Sequence, residues 1–348
     1  MVLEAILDIV QILLFPGILF CLTLALFYSW IDRKYHADLQ NRMGPTYTGW
    51  RGILQPFADF IKLMAKEDIT PAAADRRSFA AVPAVMLAVP FLGLLFIPIS
   101  NIVGIISFPG DIVFLMFLST IIAILIFLAG WFSTNVFSDI GATRAVLQLI
   151  GYEIPFMIAA FSPAILAGSL TLAQVIEYQA TNGLMLFQFP AIYQSIPMWV
   201  AFGVYMIALM AELEKIPLDI PEAETEIVAG WQTEYSGKKY AFLVLSNDLH
   251  MLFGAGLVVT LFLGGPFGIE KLPGLAGLNA FISTTPIIRE LWYTGWFILK
   301  AAIVVLVISN IRTLFARYRV DQMIRGSWKY LAPTALIGVI LIQLFSLI

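Results

Sequence analysis

A single cysteine, Cys21, occurs in 348 residues. That scarcity excludes a disulfide framework, and it excludes an iron-sulfur cluster or structural zinc ligated by the cysteines of this chain alone. Charge is scarce as well: Asp, Glu, Lys and Arg make up 12% of residues against 60% hydrophobic, with a mean hydropathy of +0.89. A soluble domain and a basic nucleic-acid-binding surface are thereby excluded. No Lys or Arg precedes Arg33, whereas Glu4 and Asp8 do, so the basic start of a cleavable signal peptide is not expected. Apolar stretches do not alternate at period 2, which argues against a transmembrane barrel. No unit of 20 to 50 residues recurs, and no inverted pair of interrupted spans marks a carrier.

What remains is an all-α integral membrane protein, one polytopic domain over residues 1–348. Eight apolar runs predict spans near 9–31, 79–100, 111–132, 144–169, 195–213, 240–264, 287–311 and 328–348. Prolines inside them, among them Pro16, Pro83, Pro90, Pro155 and Pro163, predict kinked, packed helices. Seventeen of 20 Lys and Arg residues fall on one side, with Lys271 and Arg289 opposite and Lys300 within a span. The positive-inside rule makes the basic side cytoplasmic and puts both termini outside.

Loops 32–78 and 214–239 stand out on that side. The first carries eight bases, from Arg33 to Arg77. Within it Pro56 suits a first helical turn, and Ile53, Phe57, Phe60 and Met64 share a face, which predicts an amphipathic helix at the membrane surface. Asp59 and Lys62 would give that helix ionisable groups. The second loop carries six acids against three bases, with apolar residues between them. Topology does not explain that acidity; packing against the basic first loop or a partner does.

Glu153, Glu212, Asp248 and Lys300 lie inside predicted spans, where an ionisable group costs about 2.5 to 3.5 kcal/mol to insert. At about 1.5 Å per residue, Glu153 lies roughly 15 Å deep, Asp248 roughly 12 to 14 Å and Lys300 roughly 16 Å. Glu212 sits beside the acidic loop, so acids run stepwise from that loop toward the bilayer centre. Buried acids that interact exchange protons as their neighbours change charge. His250 reads as a bystander on another helix face. Interhelical ion pairs, or a snorkelling Lys300, are the plainer alternative.

Longer motifs bear on family. Asp32-Arg33-Lys34, Gln40-Asn41-Arg42-Met43-Gly44-Pro45, Gly52-Ile53-Leu54-Gln55-Pro56-Phe57-Ala58-Asp59 and Lys62 to Asp68 resemble the first cytoplasmic loop of the NADH dehydrogenase subunit 1 family of respiratory complex I. So do Pro217 to Glu226, Val228-Ala229-Gly230, Thr233 to Gly237 and Arg317 to Gln322. The resemblance implies a coupling subunit, itself holding no catalytic centre, metal or cofactor, that joins a peripheral electron-transfer arm to antiporter-like membrane subunits in the plasma membrane. Iron-sulfur clusters, and nickel-iron where present, would belong to partner chains.

By motif position the resemblance places Glu153, Glu212, Asp248, Glu222, Glu224 and Glu226 in a charge relay, with Lys300 added from its depth. It places Asp32, Arg42 and Asp59 at the edge of a redox cavity, where Lys62 and Asp219 also fall. Quinone-reducing members carry Glu-Thr-Asn-Arg and Pro-Phe-Asp where this chain has Glu212-Leu213-Glu214-Lys215 and Pro217-Leu218-Asp219, and many carry Glu in place of Asp32. These departures point away from bound quinone and toward ferredoxin-linked membrane-bound hydrogenases or sulfane reductases, with hydrogenase-like partners. The quinone-binding member of the family in NADH:quinone oxidoreductase and, from another class, a secondary transporter are the alternatives.

Overall fold

Uninterrupted apolar runs in a bilayer satisfy their backbone groups internally, and here they do so as helices. The computed structural model describes residues 10–187, 192–268 and 285–346, which form helices, turns and loops with no strand among them. The helices are α1 (Ile18–Leu39), α2 (Gln55–Met64), α3 (Arg76–Phe96), α4 (Asp111–Ser133), α5 (Val136–Ala167), α6 (Leu172–Asn182), α7 (Ile192–Glu212), α8 (Glu224–Ile227), α9 (Gly237–Phe262), α10 (Pro286–Leu314), α11 (Val320–Gly326) and α12 (Ala332–Ser346). Eight segments of the described residues are long and apolar enough to span a membrane, as the sequence predicts.

Helix α9 is central, buried along most of its length and packed against α1, α3 and α10. A second group, α4, α5, α7 and α12, joins it through the α3–α4 contact and through direct contacts of α9 with α5 and α7. The surface helix α2 forms as expected, with Pro56 in its first turn and Phe57 and Phe60 against the core. It lies across α1 and α9.

Three boundaries differ from the sequence expectation. The first span continues to Leu39, so Asp32, Arg33, Lys34 and His36 ride the last turns of a helix rather than a loop. The fourth begins at Val136, which puts Arg144 on α5. The last begins at Val320, because α11 and a π-helical turn over Ser327–Leu331 precede α12. Hydropathy alone misses all three, since charged residues extend these helices beyond the apolar run. Lys271 lies outside the described residues.

Candidate functional site: a buried acidic loop and its carboxylates

Helix α7 ends at Glu212, yet His250, which meets Glu212, lies about 20 Å along α9 from Gly237 at 1.5 Å per residue. The chain after α7 therefore starts deep in the bundle, and residues 213–236 fill the space that α7 leaves. Gln148 of α5 donates to the carbonyls of Ala211 and Leu218, both at 2.7 Å. Trp231 is fully buried, and a Cβ at Gly141 of α5 would come within 2.6 Å of its backbone nitrogen, so glycine is what allows that approach. Tyr235 stacks on Phe79 at 4.2 Å between ring centroids and donates to the Ala129 carbonyl.

The acids of this loop are held, but by different bases from those the sequence offers first. Arg317 grips Asp219 through two nitrogens at 2.7 and 2.5 Å and reaches the Thr225 hydroxyl at 2.8 Å. Arg144 pairs with Glu226 at 2.6 Å. The eight bases of the first loop were the nearer candidates by composition; that loop meets this one the other way round, through Asp68 and Lys239 at 2.9 Å. Glu224 is exposed.

Glu214 and Glu222 form the inner end of the acid run. Their carboxyl groups face each other, while the Trp231 indole donates to Glu214 at 3.1 Å and Gln232 donates to Glu222. Burial, and then the Glu222 charge, push the Glu214 carboxyl well above the usual carboxylate range. Burial likewise pushes Glu222 up to about 7, against the opposing pull of Lys215. Glu214 (φ +50°) and Val228 (φ +63°) hold left-handed backbone on either side of the acid run, a strain that non-glycine residues rarely carry.

From there polar groups lead inward. The Tyr152 hydroxyl lies close to Glu212, with Glu153 and Glu214 also within electrostatic range. Glu212, 3% exposed, places one carboxylate oxygen 3.2 Å from His250 Nε2 and leaves the other without a protein partner. Glu153 accepts from Thr120 of α4 at 2.5 Å, and its second oxygen is likewise buried and unpartnered. His250 is thus no bystander. It does point to a different face from Asp248, which faces Ser29 of α1 instead.

Asp248 belongs to a second group of charges. Buried Asp32 pairs with Arg312 at 2.8 Å, and Asp59 pairs with Arg33 at 2.7 Å and accepts from Gln55. Arg42 and Lys62 are exposed nearby in sequence. Asp219 is held apart from them by Arg317. Lys215 connects the two groups electrostatically, acting on Asp32, Asp248 and Glu222 together. Lys300 joins neither. Its ammonium donates to the carbonyls of Leu263 (2.5 Å), Gly265 (3.0 Å) and Phe267, and Gln179 donates to those of Thr260 and Leu261. Both side chains satisfy the far end of α9.

Among the described residues no three His, Cys, Asp or Glu side chains gather as metal ligands. An apolar cavity of about 450 Å³ lies away from the Asp32 to Lys62 edge; it opens between α5, α7, α10 and the approach to α12. Sequence reasoning missed Glu214, His250, Tyr152 and Thr120. For Glu214 there was a signal, a third acid two positions from Glu212; the others need the packing to be known.

The NADH dehydrogenase family model matches residues 11–343. The chain is 35% identical over 317 residues to an F(420)H(2) dehydrogenase subunit of Methanosarcina mazei, covering 89% of this chain and 85% of that protein. It is 34% identical over 321 residues to the F(420)H(2) dehydrogenase subunit of the same name from Methanosarcina acetivorans, covering 89% and 86%. The motifs of the two loops, the eight spans and these matches agree, and the chain belongs to the NADH dehydrogenase subunit 1 family, whose members are membrane subunits of complex I-related oxidoreductases.

Proposed function

We propose that this subunit couples electron transfer in a peripheral arm to translocation of protons or sodium ions by its membrane partners. The observation that carries the reading is the line of buried and half-buried groups from Glu222 and Glu214 through Tyr152 and Glu212 to Glu153. Acids at that depth cost several kcal/mol to place, and a structural anchor does not need them. Glu224 and Glu226 stand at the outer mouth of this line, and Asp248 forms a branch through α1. Lys300, held by three carbonyls, fixes the end of α9 in this reading.

Asp32, Arg42, Asp59, Lys62 and Asp219 would border the surface that receives the arm. The basic face would be cytoplasmic, both ends of the chain outside, and the plasma membrane the site of assembly. Iron-sulfur clusters, and nickel-iron where present, would sit in the arm, with antiporter-like subunits alongside. Glu212-Leu213-Glu214-Lys215 in place of the quinone enzymes' motif favours a ferredoxin-linked hydrogenase or sulfane reductase. The similarity to F(420)H(2) dehydrogenase subunits favours a second reading, an assembly of that kind. Purifying the intact complex and identifying its subunits distinguishes these. Glu153→Gln and Glu212→Gln in that complex test the coupling: unchanged electron transfer and an unchanged ion gradient would remove the basis of the proposal.

A further inference from the structure

Tyr205 of α7 is fully buried, and its hydroxyl has no protein partner. Packing accounts for the ring but not for that oxygen. The ring stacks on Phe156 of α5 at 4.8 Å between centroids and packs against Phe262 of α9 at 5.5 Å, contacts that a phenylalanine would make equally well. A buried tyrosine hydroxyl ordinarily finds a hydrogen bond, and leaving it unmade is costly. The oxygen therefore marks a polar neighbour that is not a protein atom.

Its place on α7 says what else that neighbour touches. Tyr205 and Glu212 are seven residues apart, so two turns bring them onto one face, about 10 Å apart along the axis. Between them on that face stands Ala208, whose single methyl group fills little of the gap. The charge acting on the Tyr205 hydroxyl is that of Glu212, whose second carboxylate oxygen is likewise buried and unpartnered. The two groups thus sense each other without touching. A hydroxyl and a carboxylate oxygen complement one water molecule, which accepts from the first and donates to the second, and the Tyr152 hydroxyl close to Glu212 offers a further polar contact. Water also has a way in, because the apolar cavity beside α7 is lined by Tyr152, Ala208 and Ala211. A hard cation fits less well, since it takes about six oxygen ligands and the Phe156 and Phe262 rings supply none.

We propose that an ordered water molecule bridges Tyr205 Oη and Glu212 Oε2, which makes Tyr205 a positioning residue of the carboxylate line. Its bearing on ion transport rests on the coupling role proposed above; the bridge itself does not. The first test is cryo-electron microscopy of the purified native complex in nanodiscs, at a resolution that shows ordered water. The expected result is density within hydrogen-bond distance of both oxygens, lost in Tyr205→Phe while the aromatic rings stay in place. The second is infrared spectroscopy of the same samples. The Glu212 carboxyl band, identified by its loss in Glu212→Gln, should move to higher frequency in Tyr205→Phe, a shift that a merely structural ring would not cause. Ions transported per electron should fall about fivefold in Tyr205→Phe, the factor that one net hydrogen bond gives. A direct Tyr205–Glu212 hydrogen bond, no density between them, density that depends on sodium, or an unmoved Glu212 band would each overturn the bridge. An unchanged transport ratio in Tyr205→Phe, with Glu212→Gln impaired, would overturn the positioning role. Normal transport in Glu212→Gln with the water and the band shift both present would leave the bridge standing and remove the coupling role instead.

Discussion

His250 Nε2 and Glu212 Oε1 face each other at 3.2 Å with both side chains buried, joining α9 to the last residue of α7. Replacing His250 with Leu strips Glu212 of that partner and leaves a second unmade hydrogen bond beside the one already unpartnered. A loss of about 1 to 3 kcal/mol in thermal stability of the purified complex is expected. Gln at position 250 should recover much of the stability, because it still donates, without recovering ion transport.

The Glu214–Glu222 pair gives a pH dependence with a defined sign. Both carboxyl groups hold protons more tightly folded than unfolded, Glu222 to about 7, mainly through burial. Such a contribution is fully present below the unfolded carboxyl range, near pH 4.5, and declines as pH rises; that of Glu222 is lost through about 7. The melting temperature of the wild-type complex should therefore fall relative to that of Glu214→Gln between pH 5 and 8. Parallel melting curves across that interval would refute the raised proton affinity of this pair.

Arg317 and Asp219 make a bidentate, largely shielded pair that fastens the acidic loop. Arg317→Ala should cost about 1 to 3 kcal/mol and open residues 213–236 to limited proteolysis, because Asp219 keeps its charge without a partner. Adding Asp219→Asn to that variant should restore part of the protection. Arg317→Lys should fall between, since an ammonium does not reproduce the fork.

Lys300 offers a test that separates anchoring from transport. Lys300→Met leaves the Leu263, Gly265 and Phe267 carbonyls without this donor, and a destabilisation of about 1 to 3 kcal/mol is expected. Lys300→Arg should retain both stability and ion transport if capping is the role. Retained stability with abolished transport would instead mean that the ammonium itself moves charge.

The eight spans and α2 were legible because apolar length and the spacing of Ile53, Phe57 and Phe60 are one-dimensional signals. Helix ends were less so: Asp32 to His36 and Val136 to Thr143 continue helices through polar sequence, where hydropathy falls but backbone hydrogen bonding does not. Glu153 and Glu212 could be read as acids within spans from the apolar runs around them. Their connection could not, because Tyr152, Thr120 and His250 are ordinary residues until three helices bring them together. Likewise, eight bases in one loop outweighed Arg144 and Arg317 in a charge count, yet those two lie within reach of the acids.

Lys215 follows a left-handed residue in the segment that fills the gap below α7, and its ammonium acts at once on Asp32, Asp248 and Glu222. Coulomb interactions scale inversely with distance, so drawing this cation a few ångströms toward one carboxylate weakens its hold on the others. A small rearrangement of the 213–217 backbone would thus act as a seesaw, favouring ionisation at one acid while inviting proton uptake at another. One mobile charge could in this way set the order in which two separate acid clusters fill and empty.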